Sequence, residues 1–293
     1  MTPRLQPLVW AMAGSALLSL GAVGWLAREL FGDSGGRADA RPSLLELLEE
    51  VGRPGGDARP AAPRRPAPPP PDPLPWRSPL AQACPAADPQ VSDRLSSALA
   101  SLPSLRQRVA IDPSNYGDRF RQDAFGNPID PTPRVVVLHE TVYSLSSALN
   151  TFKTPHPRDE DQVSYHTLVG QRGEIVEAVP PEKRAFGAGN SAFNGQWVVT
   201  NPSVGGSINN FALHLSLESP ADGENPGGQH SGYTAAQYDA VALVLADWMR
   251  RFNIPPEAIT THRHVDLGGE RADPRSFDWA QLEQRLAALG LLC

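Results

Sequence analysis

All seven histidines of the chain fall in the stretch 139–264. Three positions combine a useful residue type with a useful place. His139 closes the run Val135-Val136-Val137-Leu138, His262 follows Ile259-Thr260-Thr261, and Asp273 stands in a polar stretch ahead of the last helical segment. A catalytic zinc site takes three protein ligands and keeps a fourth position open for water. Two neutral imidazoles and a carboxylate meet that demand. Zinc lowers the pKa of a bound water to about 7 and polarises a carbonyl, so the chemistry expected is hydrolysis. A single histidine at a strand end is more often a hydrogen-bonded loop residue, and the three therefore count only together. His264 rivals His262 two residues on. In an extended loop their side chains point to opposite sides, so one of them alone faces the metal.

Positioning these residues needs strands that end on them. Arg134–His139 is a β-branched run that reads as a buried strand. Gln162–Val169 and Glu174–Val179 read as strands joined at Gln171-Arg172-Gly173, a hairpin signal. Asn210–Glu218 alternates Phe211, Leu213, Leu215 and Leu217 and is a further strand, and Ile259–Thr261 is a short one leading into a polar loop. Helices are expected over Leu95–Leu105 and Leu145–Phe152. Thr234 with Gln237 forms a capping box that opens a helix with Tyr238, Val241, Leu245, Trp248 and Phe252 on one face. The last helix starts near Trp279, groups Leu282, Leu286 and Leu289, and stops at Gly290. Strands and helices mixed with a hairpin predict an α/β domain with a mixed central sheet flanked by helices.

The N-terminal third differs in character. Residues 5–27 carry no charge and are long enough, at about 1.5 Å per residue, to cross the roughly 30 Å hydrocarbon layer. We therefore expect a membrane anchor over 1–30, with a cleaved signal at Ala22-Val23-Gly24 as the alternative. Residues 31–90 form a Pro-rich linker that includes Pro68–Pro71, and polyproline is stiff and extended. The folded domain is expected over 91–293. A net charge of −6 supplies no basic face for a nucleic acid.

Competing motifs are weak. Gly187–Ala192 fits GxGxxA formally, but it neither follows a convincing strand nor opens a βαβ unit. No GxSxG elbow is present. His139-Glu140 begins like HExxH, but Tyr143 occupies the position of the second histidine.

From about residue 116 to 289 the sequence resembles the zinc N-acetylmuramoyl-L-alanine amidases of the type-2 group, relatives of the peptidoglycan-recognition proteins and the phage amidase lysozymes. The resemblance rests on Val136-Val137-Leu138-His139-Glu140-Thr141, on Val163–Val169 through Gly173–Val176, and on Lys183–Gly189. It continues in Thr261-His262, in Arg271-Ala272-Asp273-Pro274 and in Phe277-Asp278-Trp279. It implies His139, His262 and Asp273 as zinc ligands. Tyr165 matches the tyrosine of the phage-lysozyme branch, placed to hydrogen-bond the reacting water or the tetrahedral intermediate. Arg271 stands where the family generally carries an oxyanion-stabilising lysine; it keeps the charge on a bulkier, forked group. One branch has a glutamate general base where this chain has Ser216. Glu218, two residues on and on the same side of the strand, is a substitute, and Glu140 is a second candidate. Either of these carboxylates is equally a structural partner, and Tyr165 is preferred to both.

The other four histidines are left out of the ligand set. His166 is expected beneath the sheet, His214 in the core or lining the cleft, and His156 and His230 in solvent-exposed loops. The resemblance implies hydrolysis of the amide between N-acetylmuramic acid and L-alanine of peptidoglycan, with a non-catalytic peptidoglycan-binding module as the alternative. Its substrate lies outside the cytoplasmic membrane. That fits a periplasmic domain tethered by the N-terminal segment, or a secreted one after cleavage. An oxidising compartment would allow Cys84 and Cys293 to pair; two free buried thiols are the alternative.

Overall fold

The computed structural model describes residues 66–72, 76–225 and 227–292. The expected anchor over 1–30 and most of the linker lie outside the described residues. Among the described residues no helix is long and apolar enough to cross a membrane.

In chain order the elements are α1 (Pro89–Ala100), α2 (Leu102–Leu105), β1 (Arg106–Arg108), β2 (Tyr116–Asp118), β3 (Val135–Glu140), α3 (Leu145–Lys153), β4 (Thr167–Val169), β5 (Ile175–Glu177) and β6 (Lys183–Ala185). They continue with β7 (Val198–Asn201), β8 (Gly205–Ser207), β9 (Ala212–Leu217), α4 (Ala235–Phe252), β10 (Ile259–Thr261), α5 (His262–Val265) and α6 (Trp279–Ala288). Six strands form the main sheet in the order β1-β5-β4-β9-β3-β10. Only the β4–β5 pair is antiparallel; β1–β5, β4–β9, β9–β3 and β3–β10 are parallel. The mixed α/β architecture expected from the pattern is the one observed.

Burial explains the central strands. Every residue of β3 and of β9 is buried, as continuous β-branched and leucine runs require when a parallel strand is covered on both faces. In β4 the consecutive residues Leu168 and Val169 belong to different apolar clusters, and consecutive strand side chains point to opposite faces. The larger cluster joins the sheet to α1, α4 and α6 through Leu95, Val241, Leu245, Trp248, Leu282 and Leu286. The smaller one holds Phe152 of α3 with Ile111, Ala178 and Val179.

Local signals hold at the turns and caps. The β4–β5 hairpin turns at Gly173, whose φ of +83° a side chain would strain. In α4, Thr234 and Gln237 bond each other's backbone as a capping box. Asp278 caps α6, and Gly290 follows it at φ +66°.

Three expectations change. The packed body reaches back beyond Val91: Leu80 is buried, Ser78 Oγ donates to the Pro256 carbonyl, and Trp76 stacks on His264. Proline-rich sequence does not prevent packing when leucine and tryptophan punctuate it. The helix expected from Leu95 begins at Pro89, because Asp88 accepts from the Gln90 and Val91 N–H groups and proline suits the first turn. The strand expected over Gln162–Val169 shortens to Thr167–Val169 because its first half bonds elsewhere. Ser164 Oγ donates to the Asn115 carbonyl at 2.5 Å, and Ser164 N–H donates to the Phe186 carbonyl.

Cys84 is disulfide-bonded. The sequence holds one other cysteine, Cys293, which lies outside the described residues.

Candidate metal centre and cleft

Parallel pairing sets the site. β3 and β10 are neighbours with Thr261 opposite Leu138, so the residues that follow, His262 and His139, emerge side by side at the carboxyl edge of the sheet. That edge is where open α/β sheets place their ligands. After β10 the chain turns into α5 rather than the extended loop expected. Within that turn the two histidines still diverge: His262 faces the cleft, while His264 stacks on Trp76 at 3.8 Å and its Nδ1 lies 2.5 Å from Thr261 Oγ1. Asp273 arrives from the following loop, where its carbonyl accepts from Arg263 N–H.

The ligand atoms of His139, His262 and Asp273 all lie within 4.8 Å of one another. His139 Nδ1 is 3.2 Å from Asp273 Oδ2, and His262 Nδ1 is 3.0 Å from Oδ1 of the same carboxylate. Burial pushes the His139 imidazole down to about 4, against the Asp273 hydrogen bond that raises it. It is therefore neutral near pH 7, with a lone pair to give. For Asp273 burial acts upward, but the hydrogen bonds and charges of His139 and His262 outweigh it and hold the carboxyl well below its usual range. A carboxylate and two imidazoles aimed Nδ1-first at one point fit a divalent metal.

Behind the trio lies a buried relay that sequence reasoning did not identify. His139 Nε2 is 2.9 Å from His214 Nδ1. A ligand role for Nδ1 leaves the hydrogen on Nε2, which then donates to His214 and fixes the His139 ring. The fit depends on Gly187: a Cβ there would stand 2.4 Å from His214 Nδ1. His214 Nε2 is buried without a partner. Its backbone N–H donates to His166 Nδ1, so His166 carries its hydrogen on Nε2, 3.1 Å from the Lys183 carbonyl. Desolvation drives both imidazoles well below the ordinary value. His166 thus sits beneath the sheet as expected.

Tyr165 is brought to the cluster. Its ring stacks on His139 at 4.4 Å and lines the same cleft. Burial, aided by Asp273, raises the phenol well above its ordinary value, so it keeps its proton. Arg271 also lines the cleft. Its loop is shaped by Asp266, whose carboxylate accepts from the Gly268, Glu270 and Arg271 N–H groups. Asp-Leu-Gly-Gly is turn chemistry that a closer reading of the sequence could have used.

Glu218 is not brought to the cluster. Its oxygens accept from Leu145 N–H at 2.8 Å and Gln171 N–H at 2.9 Å, which spends it on the start of α3 and the hairpin. Glu140 touches the cleft wall but is consumed too. It is ion-paired to Arg275 and also accepts from Arg275 N–H and Tyr233 OH, with His230 Nε2 at 3.0 Å. His230, expected in solvent, has a fully buried side chain in that node. His156 is half-buried, with Nδ1 2.9 Å from Asn115 Oδ1. Loop position misled in both cases, because each loop folds back onto the body.

The cleft has a volume of about 820 Å³. Its walls include Phe120, Arg184, Phe186, Thr200 and the acidic turn Asp159–Asp161.

Residues 129–276 match the family described as N-acetylmuramoyl-L-alanine amidase, Amidase_2. The chain belongs to that family. The amidase match encloses His139, Tyr165, His262, Arg271 and Asp273. Among curated relatives, the chain is 34% identical over 122 residues to the 1,6-anhydro-N-acetylmuramyl-L-alanine amidase AmpD of Citrobacter freundii, covering 41% of this chain and 55% of the relative. It is 27% identical over 165 residues to the N-acetylmuramoyl-L-alanine amidase AmiD of Escherichia coli K12, covering 53% and 54%. The chain thus spans just over half the length of these two relatives. A crystal structure of an AmpD derivative is similar at 26% identity and a TM-score of 0.44, over 61% of this chain and 93% of that one.

Proposed function

We propose that this amidase-family chain hydrolyses the amide between the lactyl group of N-acetylmuramic acid and L-alanine in peptidoglycan or its muropeptides. The convergence of His139, His262 and Asp273 within 4.8 Å carries the reading. These three would hold a zinc ion, which when bound activates a water and polarises the scissile carbonyl. The remaining steps belong to the chain's own residues. His214 keeps the His139 ring aimed through its Nε2 hydrogen bond. Tyr165, held protonated, donates a hydrogen bond to the oxygen that gains charge as the carbonyl becomes tetrahedral. Arg271 adds a positive charge on the same rim. Glu218 takes no part, since both of its oxygens are engaged away from the cleft. Retention of all three ligand positions favours hydrolysis over a binding module that holds wall fragments intact.

The reaction belongs outside the cytoplasmic membrane, with the uncharged segment 5–27 as anchor or, if cleaved, as secretion signal. The disulfide at Cys84 supports that placement, because such bonds persist in oxidising compartments.

Release of peptide from intact muropeptides by the full chain, before and after His262→Ala, tests the function. We expect release by the wild type and none above background by the variant; equal activity would reject the assignment.

A further inference from the structure

The main sheet holds His139 and His262 to unequal degrees. His139 is carried by β3, which has β9 on one side and β10 on the other. His262 follows β10, a three-residue strand at the edge of the sheet that pairs with β3 alone. A short edge strand leaves a row of backbone groups outside the ladder, and its position depends on what packs around it. Here residues 76–84 brace it from both ends. Ser78 Oγ donates to the Pro256 carbonyl, in the turn that leads into β10. Trp76 stacks on His264 at 3.8 Å with the planes 27° apart, in the turn of α5 that begins with His262. Leu80 is buried in the larger apolar cluster, and the Cys84 disulfide ties the far end of the segment.

The indole of Trp76 reaches both ligand-bearing stretches that follow the sheet. Its second aromatic neighbour is Trp279 at 5.9 Å, and Trp279 meets Phe277 edge-on at 5.1 Å. Both of these rings lie just downstream of Asp273. On the other side, the stacked His264 engages Thr261 Oγ1 through Nδ1 at 2.5 Å, and Thr261 is the residue immediately before His262. The indole Nε1 is buried without a hydrogen-bond partner. What the side chain contributes here is therefore its flat aromatic surface, which suits offset stacking on a second ring. The same stack keeps His264 off the cleft wall, so that α5 presents His262 alone.

Resting on the metal-centre reading, we infer that Trp76 is a positioning residue for the metal site: through His264 and Trp279 it fixes His262 relative to Asp273 and so raises the affinity of the trio for a divalent ion. Ligands locked in place by packing lose less freedom when an ion arrives, and such supporting contacts set how well a site binds. Trp76 precedes residues 129–276, the stretch matched to the amidase family, and it touches neither the cleft nor the three ligands. Its effect on the centre passes through its neighbours.

The test measures zinc Kd by competition with a chromophoric chelator on the full chain, together with the Tm of each metal-free protein. Wild type is compared with Trp76→Phe, Trp76→Leu, Trp76→Ala and Leu102→Ala. Leu102 is buried in α2, which leads into β1 at the opposite edge of the main sheet, and it controls for lost packing as such. Kd should rise about 10-fold or more in Trp76→Leu and Trp76→Ala. It should stay within about threefold in Trp76→Phe, which keeps a stacked ring and gives up only an N–H that has no partner. Leu102→Ala should lower Tm while Kd stays within about twofold, as expected for distant sites. Should Trp76→Ala fail to fold, Trp76→Leu decides, since it keeps apolar bulk and loses the flat face. Wild-type affinity in Trp76→Leu overturns the inference, as does an equal loss in Leu102→Ala or a Phe variant as weak as the Leu one. Zinc bound by wild type with an affinity indifferent to Trp76 removes the inference alone; a wild type that binds no zinc removes the metal reading with it.

Discussion

Glu140 and Asp273 both reach the cleft wall at the carboxyl edge of the sheet, and each has histidine among its partners. Their surroundings differ in one respect. Around Glu140 every charge is answered by protein: Arg275 pairs with it and spends its remaining donors on the Gly223, Asn225, Gly227 and Gly228 carbonyls. Around Asp273 the partners are two imidazoles whose Nδ1 atoms converge on the carboxylate, and among the described residues no arginine or lysine pairs with it. A buried polar group that is fully satisfied holds a loop in place, whereas lone pairs converging on one point are ready for an ion. Two neighbouring acidic sites therefore separate into scaffold and chemistry by counting acceptors and donors.

The largest effect should come from removing the chemistry. Asp273→Ala takes away one of the three proposed metal ligands, and muropeptide release should fall by about 1,000-fold or more, the scale of losing a principal source of transition-state stabilisation. Bound zinc, measured by elemental analysis of the purified full chain, should drop with it. Chelation should reproduce the loss in wild type and added zinc should reverse it. Zinc retained at full stoichiometry in Asp273→Ala would show that the carboxylate is scaffold after all, and the contrast with Glu140 would fail.

Glu140→Ala should break the opposite side of the comparison. It strands the buried Arg275 guanidinium and His230, and breaking one partner of a buried pair costs about 3–5 kcal/mol. For a body of this size that corresponds to a fall in Tm on the order of 10 °C. The segment 221–232, pinned through Arg275, should become the first site of proteolysis, while zinc content in the folded fraction stays near wild type. An unchanged Tm with zinc lost would assign Glu140 to the metal instead.

The same contrast explains what the sequence could tell. Strand cores, the hairpin at Gly173 and the cap at Thr234 are local: each is written in the few residues that form it, and each is where the pattern puts it. His139, His262 and Asp273 were legible because strand ends and a family-like context mark them. What could not be read was which acid is already spent. Glu218 lies on the correct strand face, but its occupation by Leu145 and Gln171 N–H groups depends on where α3 and the hairpin pack. The Glu140–Arg275–His230–Tyr233 node joins residues up to 135 positions apart, and the pairing of Gly187 with His214 exists only after two strands meet. Exposure of a loop histidine is likewise a tertiary property, which is why His230 and His156 were misplaced.

An intermediate effect is expected at the relay. His214→Ala removes the acceptor for His139 Nε2–H, and loss of such an outer partner typically lowers metal affinity by about 10- to 100-fold. Gly187→Ala should act in the same direction, since its Cβ would collide with the His214 ring. If both act through His214, the double variant should be no worse than His214→Ala alone. Competition with a zinc chelator measures all three, and additive losses would mean that Gly187 works by another route.

Glu218→Gln should have the smallest effect. The amide keeps an oxygen for one of the two N–H groups that Glu218 now serves, at Leu145 and Gln171, while its NH2 end faces the other donor. Losing one exposed or half-buried hydrogen bond of this kind costs about 1 kcal/mol, visible as a shift of a few degrees in Tm. Because neither oxygen points into the cleft, kcat should stay within about twofold of wild type, a change far below the roughly 100-fold expected for loss of a general base. A hundredfold fall in kcat with an unchanged Tm would return Glu218 to the reaction. The loop carrying Leu145 and the hairpin at Gln171 would then have to move aside during turnover, freeing a carboxylate that the resting fold ties down.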